Sequence, residues 1–286
     1  MAEHEPDEAL HERALYLAGA LEVDPGRVDP VEAGTVGADY LDRFVEGGAT
    51  PEAVELGVLL LDFALACTPD HEDADRWRYR AGDALSFLAG ETGSTAHLDT
   101  AIAHLTAVAH RDTDFADPAA ADLAGLVASR LAIAAQDEDL DADAVRRLTD
   151  VLAGLDPAGP DRVDFLLQRA HAHRWAYPRT QDPADLDHVV HGVAAALPDL
   201  EPDEEARIEA LEALVAVHEE RFLLSGSLEP LEAALVAARE ARSLLADDPE
   251  RAPAARVAVA ALVAARFWNS PVRDDADRDE AIAEYT

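Results

Sequence analysis

Apolar side chains recur at helical spacing along most of the chain. In the stretch DEEARIEALEALVAVHEERF, Ile208, Leu211, Val215, His218 and Phe222 follow one another at steps of three and four, so they share one face of an α-helix. No stretch sustains the period-two alternation of a half-buried strand. Clusters such as TPDHED, DPAGP and ADDPE separate the apolar stretches with helix-breaking proline. The pattern therefore predicts an all-α protein of helices joined by short polar turns.

A short phrase recurs along the chain at nearly constant spacing. TQDPADLDHVV at 180–190 repeats TGSTAHLDTAI at 92–102, and weaker copies occur elsewhere. Aligned on one position, the copies fall at Val54, Leu98, Leu140, Leu186, Leu231 and Arg278, with steps of 44, 42, 46, 45 and 47. A period in this range is typical of helical repeats that stack on one another.

The residues before each phrase predict where helices begin. Thr50, Ser94, Gln136, Asp182, Ser227 and Asp274 stand four residues before the six aligned positions. All but Gln136 are good helix N-caps, because their side-chain oxygens accept hydrogen bonds from free N–H groups of the first turn. Beside Gln136, Asp137 is the predicted substitute. Each phrase is therefore expected to open the second helix of a hairpin.

Two further features mark the first helices of several hairpins. Gly37, Gly82 and Gly125 lie 15 to 17 residues before an aligned position, inside helical patterns. Glycine there costs roughly 1 kcal/mol relative to alanine, which predicts that another helix crosses closely. Pairs of arginine and an aromatic residue recur near the ends of these helices, at Arg43-Phe44, Arg174-Trp175, Arg221-Phe222 and Arg266-Phe267. We expect the ring to fill the gap between hairpins and the guanidinium to stack on it or pair with an acid.

Isolated hairpins of this kind cannot bury both apolar flanks, so stacking is expected. Residues 1–28 are predicted to form an N-terminal capping helix, and 29–286 a solenoid of about six hairpins. The expected units are about 29–68, 69–114, 115–157, 158–199, 200–247 and 248–286.

Over roughly residues 29–286 the chain resembles the tetratricopeptide-repeat (TPR) superfamily, in the long-loop form common in actinobacterial proteins. The resemblance is carried by Arg174-Trp175 followed by TQDPADLD at 180–187, by Thr92-Gly93-Ser94, and by Val36-Gly37 and Ala81-Gly82, where the family usually has Leu-Gly. It implies a right-handed α-α superhelix whose first helices line a concave, protein-binding face. Such arrays often precede a caspase-like CHAT peptidase or an NTPase module.

The resemblance also implies which side chains contact a bound peptide, one turn either side of the Leu-Gly position. The residues nominated in this way are Tyr79, Asp83, Ser129, Arg130, Arg169, His173, Glu212 and Glu219.

Charge narrows the class of partner. The 23 basic residues are all arginine, and 59 acidic residues leave a net charge of −36. A field of this sign repels phosphate backbones and anionic lipid, so neither nucleic acid nor membrane is an expected partner, and a basic protein or peptide is favoured. The plainer interpretation is a solvated surface that keeps an Ala-rich chain soluble. The longest apolar run, VLLLDFALAC, is interrupted by Asp62, and the acidic N-terminus does not resemble a signal peptide; a cytoplasmic protein is expected.

Candidate catalytic and metal-binding residues do not assemble into a motif. His188 with His191 and His97 with His104 have ligand-like spacing but no third ligand nearby. Cys67 near His71 is interpreted as a buried structural cysteine rather than a nucleophile. Without lysine, no Walker phosphate loop exists. No catalytic residue, cofactor or metal site is predicted.

The leading hypothesis is a non-enzymatic scaffold that binds protein or peptide on the concave face of a helical repeat array. The alternative is the regulatory sensor region of a larger effector, such as a CHAT-type peptidase. The last repeat reaches Thr286 about three turns into its second helix, which favours this alternative and a further C-terminal domain. A metal-dependent enzyme built on a helical array is a third, weaker hypothesis.

Overall fold

The computed structural model describes residues 8–47, 50–137, 140–201 and 205–285. Within these ranges the regular structure is helical, with short 3₁₀ turns and no strand. The predicted all-α fold is confirmed.

The α-helices follow one another along the chain with short connections. They are α1 Glu8–Val23, α2 Pro30–Gly47, α3 Pro51–Cys67, α4 Ala74–Thr92, α5 Thr95–Ala109, α6 Ala116–Asp137, α7 Ala142–Asp150, α8 Arg162–Thr180, α9 Pro183–Ala196, α10 Glu205–Ser225, α11 Leu228–Leu244, α12 Ala252–Asn269 and α13 Asp275–Tyr285.

The chain divides into two compact units. Met1–Asp139 and Arg147–Phe165 form the first unit, and Leu140–Arg146 and Leu166–Thr286 form the second. The predicted division into a capping helix at 1–28 and one solenoid over 29–286 stays a prediction.

The first unit contains α1 to α6. Within hairpins α2 packs on α3 and α4 on α5, and successive hairpins pack through α3 with α4 and α5 with α6. Helix α1 lies against α2 and α3, where Ala14 and Leu17 join Tyr40 and Leu60 in a buried cluster. The first helices also touch, α2 with α4 and α4 with α6. Polar residues of these three helices can therefore meet on one surface.

The second unit repeats the arrangement with α9 to α13 and most of α8. Helix α10 packs on both α9 and α11, α11 packs on α12, and α12 on α13. The core here includes Leu231, Leu235, Val259, Leu262 and Val263. Gly192 of α9 approaches α8 so closely that an added Cβ would lie 3.1 Å from the Leu166 carbonyl oxygen.

Helix starts agree with the predicted caps, with one exception. The side chains of Thr50, Ser94, Asp182, Ser227 and Asp274 each accept a hydrogen bond from a first-turn backbone N–H. The helix start expected in the Gln136 unit was wrong, because α6 continues to Asp137 and α7 begins at Ala142. There the Asp141 carboxylate accepts the Ala144 N–H at 2.7 Å. The substitute Asp137 is likewise the last residue of α6 rather than a cap.

Glycines mark the tightest helix crossings. A Cβ on Gly37 would lie 3.1 Å from the Gly57 carbonyl oxygen on α3, and one on Gly82 would lie 2.6 Å from Leu105 Cδ2 on α5. At either position an added methyl group would require a neighbouring group to shift. The close approach predicted at these two positions is confirmed.

Among the residues that the structure describes, one helical segment, Ala116–Gln136, has the length and hydropathy of a membrane span. Of that segment, 56% is buried within the protein. Burial of this extent is also found in the core helices of water-soluble proteins.

Candidate functional site

Tyr79 and Asp83 lie on α4 beside an aspartate that the sequence did not single out. The Tyr79 ring stacks on Phe115 at 5.6 Å, and the Arg80 guanidinium lies 5.4 Å from its centroid. The carboxylate of Asp122 on α6 lies near the Tyr79 hydroxyl and interacts with it electrostatically. Asp122 is one of many acidic residues on helices, and only the contact between α4 and α6 distinguishes it.

The protein environment favours the protonated forms of Asp122, Asp83 and Tyr79 more than water does. Partial desolvation, together with the negative charge of Asp83, raises the pKa of Asp122 to about 6, although the nearby Tyr79 hydroxyl acts in the opposite direction. Desolvation also raises the pKa of Asp83, against the lowering effect of Arg80. For Tyr79, burial and then the charge of Asp122 raise the pKa above its ordinary value.

The arginines of this surface pair towards α2. Arg76 contacts Asp39 at 2.8 Å and Asp42 at 2.6 Å, and Arg80 contacts Asp42 at 2.5 Å. Both arginines are therefore paired with carboxylates of α2, whereas Asp83 and Asp122 interact on the side of α4 that faces α6.

Asp122→Asn is expected to stabilise the protein more at pH 7.5 than at pH 4.5. Because the folded pKa of Asp122 is raised to about 6, the folded state holds a proton that the unfolded chain releases near pH 4, and the free energy of unfolding falls as pH rises through this window. The amide removes that penalty. Thermal melting at both pH values measures the effect, with exposed Glu91→Gln as the charge-matched control. Equal shifts of the melting temperature at the two pH values would contradict the assignment.

Ser129 and Arg130 are adjacent on α6 but point to different surroundings. Ser129 is exposed, whereas Arg130 is 4% exposed and its Nε donates to Asp99 Oδ1 of α5 at 2.9 Å. Arg130 is therefore a packing residue between helices, which corrects its nomination as a peptide contact.

His173 also faces a neighbouring helix rather than an open surface. Its buried ring donates from Nδ1 to Asp185 Oδ1 at 2.8 Å and stacks on His188 at 4.2 Å. Thr180 donates to the other oxygen of Asp185. This network joins α8 to α9 and corrects the nomination of His173. Arg169, one turn earlier on α8, is partly buried and lowers the pKa of His188, after the larger effects of burial and His173.

His171 faces α10 instead. Burial, and then the charge of Arg174, lower the pKa of His171, whereas the charge of Glu209 on α10 raises it. Residues two apart on a helix point about 200° apart, so one register error exchanges the two faces. Sequence reasoning therefore placed His173 on the open face, whereas its ring faces α9.

Helix α10 presents an acidic stripe, which we define as Glu205, Glu209, Glu212 and Glu219. All four side chains are exposed, and their spacing places them on one face of the helix. Partial desolvation raises the pKa of Glu219. Two members, Glu212 and Glu219, were nominated from the sequence, and the other two carry the stripe towards the beginning of α10.

An apolar cleft of about 270 Å³ lies beside this stripe. It is bounded by α10 and α12, the first helices of successive hairpins, and α11 forms its floor. The walls are made by Val215, Ala238, Ala241, Leu245, Ala254, Ala255 and Ala258, with Glu212 and Arg251 at the rim. Because most lining residues are alanine, the helices pack without filling the space between them.

Arg251 is held at the rim by the turn that precedes α12. The Asp248 carboxylate accepts the N–H groups of Glu250 and Arg251 at 2.9 and 3.1 Å. The guanidinium then contacts Glu205 and, at 3.2 Å, Glu212. Arg251 was not selected from the sequence, because an arginine next to a proline-containing turn has no distinguishing pattern.

The arginine-aromatic pairs follow the prediction in part. Arg266 pairs with Glu232 at 3.0 Å and Asp277 at 2.6 Å, and Arg221 with Asp187 at 3.1 Å. Phe222 packs against the core, but Trp175 is exposed, so its ring does not fill a gap between hairpins. The side chain of Phe44 lies outside the described residues.

Two other reactive groups lie at the surface. The free thiol of Cys67 is exposed, which corrects the expectation of a buried cysteine. His71, Glu72 and Asp73 are close enough to share one metal ion. However, His71 Nδ1 already accepts the Asp73 N–H at 3.1 Å, and its ring stacks on Trp77 at 4.9 Å. This geometry favours a structural role for His71.

Comparison with known proteins gives little guidance to identity. No protein-family model matches the chain, and no curated protein matches it. Among solved structures, the chain is similar to one described by its title as "The hypoxic regulator of sterol synthesis Nro1 is a nuclear import adaptor". The two share 12% sequence identity over 98% of this chain and 92% of that one, with a TM-score of 0.49. Similarity at this level assigns the chain to no family.

Proposed function

We propose that this protein is a non-enzymatic scaffold that binds a protein or peptide segment through the second unit. The observation that carries the proposal is the position of the apolar cleft directly beside the acidic stripe of α10. A segment lying along α10 would place an apolar side chain among the alanines of α11 and α12. Its basic side chains would meet the exposed glutamates.

Two physical terms favour such a ligand. Burying apolar surface in the cleft contributes about 25 cal/mol per Å² to the free energy of binding. Charge complementarity between the stripe and a basic segment speeds association and sets the orientation of the segment. The net charge of −36 acts in the same direction over longer distances.

Reversing two charges of the stripe is expected to weaken binding of a basic, apolar probe. The probe is a short synthetic peptide that alternates arginine with leucine, and affinity is measured by fluorescence anisotropy. Glu212→Lys with Glu219→Lys should lower affinity about tenfold or more, because like charges placed together at an interface cost several kcal/mol and about 1.4 kcal/mol is tenfold.

The matched control is Glu55→Lys with Glu91→Lys, which changes the net charge equally at exposed positions of the first unit. Thermal melting shows whether each variant is folded. Equal weakening by both pairs would mean that the probe senses only net charge, and would contradict the proposed site.

A second candidate function is regulation of a larger effector, such as a CHAT-type peptidase. Ile282 and Tyr285 of α13 and Trp268 of α12 are exposed apolar side chains, which a following domain would cover. The gene sequence beyond the codon of Thr286 tests this function. An in-frame effector domain would support it, and a stop codon would contradict it.

A further inference from the structure

We infer that the ligand of the cleft carries an arginine that replaces Arg251 on Glu205 and Glu212. Arg251 then acts as an internal competitor that occupies the cationic subsite while the cleft is empty. This inference rests on the proposed function and names the ligand chemistry of the same site.

Arg251 occupies the position that an arginine of the bound segment would occupy. It is the one cation among the described residues that line the cleft. Its guanidinium spans two glutamates that lie seven residues, or about two turns, apart on α10. A planar, forked guanidinium can contact two carboxylates at once, whereas an ammonium is a point charge. The subsite therefore favours arginine over lysine.

The ion pair of Arg251 with Glu205 and Glu212 can be exchanged for one with the ligand. The side chains of Arg251, Glu205 and Glu212 are 32%, 61% and 55% exposed. Water screens ion pairs at such exposure, so replacing one guanidinium by another changes the free energy little. The net gain on binding comes from the apolar side chain that enters the cleft.

Displacement also opens the cleft. Arg251 contacts Glu212 at the rim of the cleft that Val215 and Ala255 also line. Once released, its side chain can extend into solvent from the residue that precedes α12. The ligand is thus expected to be a segment in which arginine neighbours a small or medium apolar residue.

Arg251→Gln tests this inference with the arginine–leucine probe. Removing the competitor should tighten binding several-fold, because both glutamates become free. Arg256→Gln is the matched control, since Arg256 is an exposed arginine one turn further along α12 that contacts Glu284 and the Ala283 carbonyl instead. A citrulline–leucine peptide, which keeps the shape but not the charge, should lose the gain.

Unchanged or weaker binding by Arg251→Gln, with Arg256→Gln equal to the unaltered protein, would overturn the inference. Arg251→Lys, which keeps the charge but loses the forked contact, is a second variant in case Arg251→Gln unfolds, and it should also bind the probe more tightly. Failure of the proposed function is distinguishable, because the unaltered protein would then show no saturable binding that depends on Glu212 and Glu219.

Discussion

Trp77→Ala is expected to lower the free energy of unfolding by about 3–5 kcal/mol, as is usual when a large aromatic side chain is removed from a core. Trp77 is 0% exposed, stacks on His71 and contacts α2 at Gly34. The lost volume would open a cavity between the first two hairpins of the first unit. Urea unfolding followed by far-ultraviolet circular dichroism measures the loss.

A conservative variant separates packing from hydrogen bonding at this position. Trp77 Nε1 is buried without a hydrogen-bond partner among the described residues, so the indole N–H contributes a cost rather than a gain. Trp77→Phe should therefore lose clearly less stability than Trp77→Ala. Similar losses in the two variants would contradict a packing role for the ring.

Gly34 provides a second check on the same contact. A Cβ at Gly34 would lie 2.5 Å from Cε2 and Cζ2 of Trp77, and a buried indole has no room to move away. Gly34→Ala should destabilise the unaltered protein by about 1–3 kcal/mol through overpacking. In a Trp77→Phe background the same change should cost much less, because neighbouring sites are coupled.

Asp185→Ala is expected to have the second largest effect. It should lower the free energy of unfolding by about 1–3 kcal/mol for each partner left without a hydrogen bond. The buried carboxylate accepts from His173 and from Thr180, and these contacts hold the turn between α8 and α9. Both partners are themselves buried, so water cannot easily replace the lost acceptor. Thermal and urea unfolding report the loss.

Asp185→Asn is the informative comparison because it keeps the shape of the side chain. One amide oxygen can still accept one of the two hydrogen bonds, so an intermediate loss of stability is expected. Asp187→Ala is the control, at an exposed site whose carboxylate pairs with Arg221. A loss at Asp185 no larger than that at Asp187 would contradict the importance of the buried network.

Local signals were sufficient to predict the helices and most of their starts. Caps such as Thr50 and Asp182 act within one turn of their own position, so the sequence alone reveals them. The helix start expected in the Gln136 unit was wrong because α6, with its long apolar stretch, runs past the expected turn. The glycines at 37 and 82 were informative for the same reason, since a missing Cβ is visible in the sequence.

The sites were harder to predict because they depend on the rotation of each helix. Arg130 and His173 were assigned to an open face, yet each is turned towards a neighbouring helix and paired with an aspartate. Asp122 and Arg251 acquire their roles only from helices brought near them by folding. The cleft itself results from a group of alanines distributed over α11 and α12. No single segment carries that information.

Photo-cross-linking with the arginine–leucine peptide, in which one leucine is replaced by a photoreactive analogue, tests the proposed site most directly. After irradiation, mass spectrometry of proteolytic fragments identifies the residues joined to the probe. The proposed binding mode predicts saturable cross-links to the cleft walls, at Val215 of α10 and at Ala254 or Ala258 of α12, which disappear in Glu212→Lys with Glu219→Lys. Saturable cross-links confined to helices outside the cleft would contradict it.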